Sequence, residues 1–211
     1  MYNQNISTTT EQKDLGVMID DSCKPRVQCA TAAKKANQVL GRINRAFTCY
    51  TKDIMLQIYK VFVRPHLEYA ISTWAPWLMK DKNALESIQH RATRRMSDVH
   101  GSYPERLQKL NLTTLDERRM RGDAIEMYKY LHRYWDIDYS TLFTIDNPQR
   151  RITRQQQSYM PVRVPRARLD IRKNFFSVRG PEIWNSLSSE IRQSTSLNAF
   201  KNAYDQSIDQ N

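Results

Sequence analysis

A mainly α-helical chain is predicted: a helical bundle with a short N-terminal strand and a small basic β-hairpin or loop ahead of its closing helices. Three observations carry this. Apolar residues recur at three- and four-residue steps over most of the length. Strand-like patterns are confined to Lys13–Asp20 and Tyr159–Val164. Only five glycines occur in 211 residues, which argues against a loop-rich or solenoid fold. Hydrophobic residues make up 40 %, enough for one compact domain or two small ones. The expected organisation is a strand segment at 1–22, a helical domain at 23–136, a basic linker or hairpin at 137–174 and a helical segment at 175–211.

The first element is KDLGVMID, Lys13–Asp20. Leu15, Val17, Met18 and Ile19 surround Gly16 and predict a strand too short to stand alone. Pro25 precedes a long helix. Cys29, Ala32, Ala33, Ala36, Val39, Leu40, Ile43 and Phe47 share one of its faces. The opposite face holds Lys34, Lys35, Gln38, Arg42 and Arg45, a basic stripe behind an apolar one. A solvated charged face is the plain alternative.

A second helix follows Thr51–Lys52–Asp53, with Asp53 as its expected cap. Ile54, Met55, Ile58, Tyr59, Phe62 and Val63 form its seam, and Pro65 should end or kink it. In His66–Trp77 the expected core residues are Leu67, Tyr69, Ala70, Trp74 and Trp77. Glu68 stands among them and needs a partner, with Arg64 and His66 at hand. Asp81 is placed to cap the next helix, whose inward residues are Leu85, Ile88, Ala92 and Met96. Arg91 and Arg95 flank that stripe and Arg94 points away from it. Gly101 and Pro104 mark a turn, and Pro104–Leu110 is a short helix. A long helix from about Thr114 puts Met120, Ala124, Met127, Tyr128, Leu131 and Trp135 inward. Arg118, Arg119, Asp123, Glu126, Lys129 and Arg133 face outward, with charges that nearly cancel.

Charge narrows the class. Lys plus Arg number 33 against 22 acids, a formal +11 that points to a polyanionic partner. The excess is uneven. Between Arg150 and Arg179 nine basic residues face one acid, Asp170. They are Arg150, Arg151, Arg154, Arg163, Arg166, Arg168, Arg172, Lys173 and Arg179. Eight of the nine are arginine, whose planar fork suits phosphate better than an ammonium does. Tyr159, Phe175 and Phe176 are interleaved with them, which fits sequence-nonspecific backbone contact. A disordered basic linker is the plain alternative. Beyond it, Phe175–Leu187 and Ser196–Ile208 predict two closing helical pieces, the last capped by Ser196 and burying Leu197, Phe200, Tyr204 and Ile208.

Other classes are disfavoured. No run of 18 apolar residues marks a membrane span, and the polar N-terminus lacks a signal-peptide core. A reducing intracellular compartment, nucleus or cytoplasm, is therefore expected. Cys23, Cys29 and Cys49 lack CxxC pairing, and His66, His90, His100 and His132 stand apart, so no zinc site is expected. Cys29 and Cys49 read as small buried hydrophobes.

Several segments together resemble the thumb and C-terminal region of reverse transcriptases from non-LTR, jockey-like retrotransposons. They are KDLGV (Lys13–Val17), AAKKANQVLGRINRAF (Ala32–Phe47), YKVFVRPHLEYAISTWAPW (Tyr59–Trp77), LESIQHRATRRM (Leu85–Met96), YPERLQKLNLTTLDERRMRGD (Tyr103–Asp123) and FFSVRG…WNSL (Phe175–Leu187). They run in the family's order. Two positions depart from its pattern: Arg179–Gly180–Pro181, where apolar residues usually follow the Arg, and Ser188, where a proline is common. The resemblance implies a thumb-like helical bundle at 23–136, preceded at 1–22 by a remnant of the palm's primer-grip strand. It implies RNA and DNA template-primer as partners, with the palm and fingers of the polymerase as a further partner. Neither membrane nor small-molecule substrate is implied.

Catalysis by this family needs a [FY]-x-D-D pair and a third aspartate holding two metal ions. The one adjacent pair here, Asp20–Asp21, follows KDLGV instead of preceding it, and has no aromatic two residues before it. It reads as a turn and helix-start pair. No catalytic residue or metal ligand is therefore expected in this chain, and Mg²⁺ would belong to the absent palm. The expected contacts to nucleic acid are Lys34, Lys35, Arg42 and Arg45 on the long helix, then Arg91, Arg94 and Arg95, then the basic window from Arg150 to Lys173. Two other readings are a helical protein-interaction module and a metal-dependent nuclease or polymerase using Asp20 and Asp21.

Overall fold

A computed structural model describes residues 8–47, 51–96, 98–146 and 159–209. The protein is mainly helical, with one two-stranded sheet near its N-terminus. It divides into two compact units, 1–116 and 117–211.

The first unit opens with a hairpin where sequence patterning predicts a single strand. β1 (Glu11–Asp14) pairs antiparallel with β2 (Val17–Asp20), Asp14 opposite Val17. The two-residue turn between them has both φ angles positive, 43° at Leu15 and 89° at Gly16. That combination turns the chain with the right twist for a hairpin, and glycine takes it without strain. Asp20 anchors the exit: its Oδ1 accepts from the Lys24 N–H and the Ser22 hydroxyl, both at 2.9 Å. The acidic pair is thus part of a turn.

Helix α1 (Arg26–Ala46) buries Cys29, Ala32, Ala36, Leu40 and Ile43, the predicted stripe. Phe47 is the exception, exposed just beyond the helix end. Helix α2 (Lys52–Ile58) starts from Thr51, so Asp53 sits inside its first turn. Of the predicted seam Met55, Tyr59 and Val63 are buried, while Ile54 and Phe62 are exposed.

The reason is a change of helical pitch. Met55, Tyr59, Val63 and Leu67 are each four residues apart and fully buried. On a regular α-helix residues four apart drift by about 40° per step, so the set would spread around about 120°. A π-helical stretch at Tyr59–Val63 intervenes, with the Arg64 N–H bonded to the Tyr59 carbonyl five residues back. The wider turn keeps the four side chains on the core. Pro65 follows it in the first turn of α3 (Arg64–Glu68), where its missing N–H costs least. Arg64 and Glu68 pair at 3.7 Å, the ion pair the sequence calls for.

The chain then reverses through Ala70, at φ 51°, into α4 (Ile71–Trp74). Tyr69, predicted in the core, lies instead on the surface over the hairpin turn. Its hydroxyl donates to the Leu15 carbonyl at 2.9 Å, and its own carbonyl accepts from the Trp74 indole at 2.8 Å. Helix α5 (Met79–Arg94) starts from Leu78, which places Asp81 in its first turn, buried. Leu85, Ile88, Ala92 and Met96 are buried as predicted. Helix α6 (Tyr103–Lys109) carries a capping box. The Ser102 N–H donates to Glu105 at 2.8 Å, which holds that carboxyl below its usual range.

Helix α7 (Leu115–Leu131) begins in the first unit, and from Glu117 onward belongs to the second. The contact boundary therefore falls inside the 23–136 segment predicted as one domain. Ala124, Met127, Tyr128 and Leu131 explain it, since they pack with Trp184, Ile191 and Phe200. Periodicity places Arg119 and Asp123 outward, yet both are buried, while Met120 and Trp135 are exposed. Asp123 has a partner 56 residues away: Arg179 grips its two carboxylate oxygens at 2.8 and 3.2 Å. Burial pushes the Asp123 carboxyl above its usual range, and Arg179 only partly offsets this.

The remaining helices are α8 (Asp170–Lys173), α9 (Phe176–Ser186), α10 (Ser189–Arg192) and α11 (Leu197–Asp209). Ser188 caps α10 by accepting from the Ile191 N–H. Gly180 is where a side chain would meet Met127 Sδ at 2.8 Å, so its lack of a Cβ lets α9 close on α7. Ser196 caps α11, accepting from the Ala199 N–H at 3.1 Å. Among the described residues no helix is long and apolar enough to cross a membrane.

Candidate nucleic-acid interface

In the first unit the basic residues of α1 and α5 are sorted by what holds those helices in place. The apolar stripe of α5 fixes its rotation, and a buried amide reinforces it. Gln89 accepts from the Tyr59 hydroxyl at 2.7 Å and donates to the Tyr103 hydroxyl and the Thr113 carbonyl, both at 3.0 Å. Glu86, one turn earlier, accepts from Tyr103 and from the Leu115 N–H. With these locked inside, Arg91, Arg94 and Arg95 stand exposed at the C-terminal end of α5.

All three line one open groove of about 430 Å³, whose other wall is α1 through Asn37, Gly41 and Asn44. No acid lines it. Arg91 is pre-oriented: it donates to Asn37 Oδ1 across the groove and to the Ser87 carbonyl at 3.4 Å. The Arg94 and Arg95 side chains make no hydrogen bond or ion pair among the described residues. A Cβ at Gly41 would meet nothing within 4 Å, so this glycine leaves the floor open. Three guanidiniums around such a groove are chemically suited to an anion, and their forked donors match the geometry of phosphate oxygens.

The α1 cations divide. Lys34, Lys35, Arg42 and Arg45 are all exposed. Lys34 and Arg45 lie within about 40° of Gly41 around the helix, whereas Arg42 and Lys35 are about 100–120° away. The first two share Gly41's side of α1, and the second two face elsewhere.

In the second unit, Arg150, Arg151 and Arg154 lie outside the described residues. The rest of the basic window is ordered by its neighbours. Val162 is buried and pairs with Ile145 in a single antiparallel bridge, where sequence alternation predicts a strand or hairpin. The Arg163 N–H donates to the Thr144 carbonyl at 2.8 Å. On the other edge, the Asn185 side chain imitates a strand: its Oδ1 accepts from the Val162 N–H at 3.0 Å and its Nδ2 donates to the Val162 carbonyl at 2.7 Å. The Trp184 indole holds the Met160 carbonyl at 2.9 Å. Arg163, Arg166 and Arg168 leave this clamp exposed along an extended segment.

The other three cations are partly engaged. Arg172 lies over the Phe175 ring at 5.9 Å, and Lys173 pairs with Asp170 at 3.1 Å in an exposed contact worth little. Arg179 is withdrawn from the window by Asp123. Neither Asn37 nor Asn185 stands out in the sequence. Asn37, Gly41 and Asn44, at steps of four and three, form a small polar strip on one flank of α1, which by itself does not mark a groove.

Comparison with protein-family models, curated protein sequences and solved structures yields no match.

Proposed function

We propose that this chain is a non-catalytic nucleic-acid-holding module, the thumb and C-terminal part of a retrotransposon-type RNA-directed DNA polymerase, gripping RNA or DNA template-primer by its phosphates. One observation carries the proposal: Arg91, Arg94 and Arg95 line one groove that no described acid enters. The sequence resemblance supplies the family, and the groove supplies the chemistry. The ordered arginines of the second unit, Arg163, Arg166 and Arg168, offer further phosphate contacts. Binding of this kind is nonspecific, with dissociation constants of order 10⁻⁴–10⁻⁶ M at physiological salt. It belongs in the nucleus or cytoplasm, where such polymers are found. Mg²⁺ and the polymerising carboxylates belong to the palm in this reading.

A fluorescent RNA–DNA hybrid titrated across a range of salt concentrations tests it. Wild-type binding is expected to weaken steeply with salt. Replacing Arg91, Arg94 and Arg95 together with alanine is expected to lower the slope of log K against log salt by about 2–3, since each phosphate contact contributes about 0.9. An unchanged slope removes the groove from the interface. Salt-insensitive association would favour the second reading, a protein-interaction module. Its observation is the exposure of Ile54 on α2 and of Val61 and Phe62 on the π-helical stretch, each more than half accessible. The polymerase palm and fingers are the partner in that reading.

A further inference from the structure

We infer that a second cleft, lying wholly within residues 117–211, receives a single unpaired nucleobase. The cleft is an open cavity of about 440 Å³ lined by Tyr128, His132 and Tyr134 on one side and by Thr195, Ser196, Leu197 and Asn198 on the other. The inference rests on nucleic acid being the ligand, as proposed above, but takes a different part of it.

Three features point to a neutral planar ring. The first is a ring stack that reaches the cleft. Phe200 and His132 both stack on Tyr128, at centroid separations of 4.6 and 3.9 Å. Two rings cannot share one face at those distances, so they occupy opposite faces of Tyr128. His132 is then the ring of this series that lines the cavity, with Tyr159 tilted beside it at 6.2 Å and the Trp184 edge against it at 6.2 Å. A base entering there continues the series, as bases do on the aromatic platforms of single-strand-binding proteins.

The second feature is charge. None of the lining residues carries a formal charge, and burial lowers the basicity of His132, which keeps its imidazole neutral near pH 7. A phosphate gains nothing here. This is the opposite of the arginine groove of the first unit, which three cations and no aromatic ring line. The two sites are suited to the two halves of a nucleotide.

The third feature is polarity at the edges. His132 Nδ1 lies 3.1 Å from the Tyr128 carbonyl, so in the neutral ring this nitrogen carries the proton and Nε2 is left as an acceptor. Thr195 and Asn198 are exposed on the facing wall and add a hydroxyl and an amide. A hydroxyl, an amide and an imidazole acceptor match the mixed donors and acceptors of a base edge. Tyr134, 61 % exposed, offers a second flat surface.

Adenosine tests the site because it has a base and no phosphate. The full chain is titrated with adenosine while the imidazole proton resonances are followed, His132 being assigned by its loss in His132→Gln. The His132 signal is expected to move through ring current and to saturate in the millimolar range. Tyr134→Ala and Asn198→Ala, both at exposed positions, are each expected to weaken that response at least threefold. The Arg91/Arg94/Arg95→Ala variant is expected to leave it unchanged. A His132 signal that adenosine does not move overturns the inference. So does a response that both variants retain in full, or one that ribose alone reproduces. Because the probe lacks phosphate, failure here leaves the salt-dependent grip of the first unit standing, and failure of that grip leaves this result readable.

Discussion

The Tyr59 hydroxyl donates to Gln89 Oε1 at 2.7 Å, joining the π-helical turn to the middle of α5 in the interior of the first unit. Both side chains are fully buried. Burial raises the Tyr59 phenol far above its usual range, so it stays a donor at every accessible pH. Gln89 spends both ends of its amide on this region, and Glu86 and Tyr103 complete the network. The orientation of the arginine groove depends on this polar knot as well as on apolar packing.

Gln89→Leu should therefore destabilise the first unit by roughly 2–4 kcal/mol, because it strands the Tyr59 hydroxyl and the Thr113 carbonyl without partners. Tyr59→Phe removes only one donor and should cost about 1 kcal/mol. Urea unfolding followed by circular dichroism measures both. Equal stability in Gln89→Leu would show that the network contributes nothing net.

Acid should act with opposite signs at two carboxyls. The Ser102 N–H holds Glu105 below its ordinary value of 4.5. Its stabilising contribution is complete above that value and is lost as pH falls through the lower folded value. Asp123 is held above its ordinary 3.8, chiefly by burial. Its contribution is complete below 3.8 and is lost as pH rises through the higher folded value. Stability curves between pH 3 and 7 should show less acid loss in Glu105→Gln than in wild type. Asp123→Ala should cost about 3–5 kcal/mol near neutral pH, since it leaves the Arg179 guanidinium without its carboxylate.

The legible parts of this fold were those with repeating apolar positions. Cys29, Ala32, Ala36, Leu40 and Ile43 mark α1, and Leu85, Ile88 and Ala92 mark α5, because burial demands a stripe and a stripe is visible in sequence. Two backbone features carried no such mark. Leu15–Gly16 lacks the Asn or Asp that announces a tight hairpin turn, and the π-helical stretch shows only as a four-residue spacing that an ordinary helix also tolerates. Asp123 reads as surface because nothing local reveals Arg179. The groove was half legible: Arg91, Arg94 and Arg95 stand out by charge, but Asn37 and Gly41 become meaningful only when α1 lies beside α5.

Gly41 separates stability from binding. Its place inside α1, five residues before the helix end, costs helix propensity, and a Cβ there meets nothing within 4 Å. Gly41→Ala should stabilise the protein by about 0.5–1 kcal/mol. Gly41→Leu should fold equally well yet fill the floor of the groove and weaken hybrid binding several-fold. Melting temperature and the salt titration, measured on the same samples, check the pair. A Gly41→Leu variant that binds like wild type would place the phosphates outside the groove.

The hairpin turn is where the chain tolerates a residue poorly suited to its backbone. Leu15 has φ 43° and an 86 % exposed side chain, so it gains little burial in return for a left-handed conformation. Such a conformation costs an ordinary side chain about 1–2 kcal/mol, and asparagine suffers less because its short polar side chain bonds locally. Leu15→Asn creates an Asn–Gly pair, the preferred sequence for this turn. The Tyr69 hydroxyl bonds to the Leu15 carbonyl, a backbone group that the substitution leaves in place. Leu15→Asn should thus raise stability by about 0.5–1 kcal/mol. Leu15→Val should lower it by a similar amount, since a β-branched residue fits a positive φ worst. Thermal unfolding of the two variants beside wild type decides the point. If asparagine and valine shift the midpoint in the same direction, the turn is not held in the left-handed form.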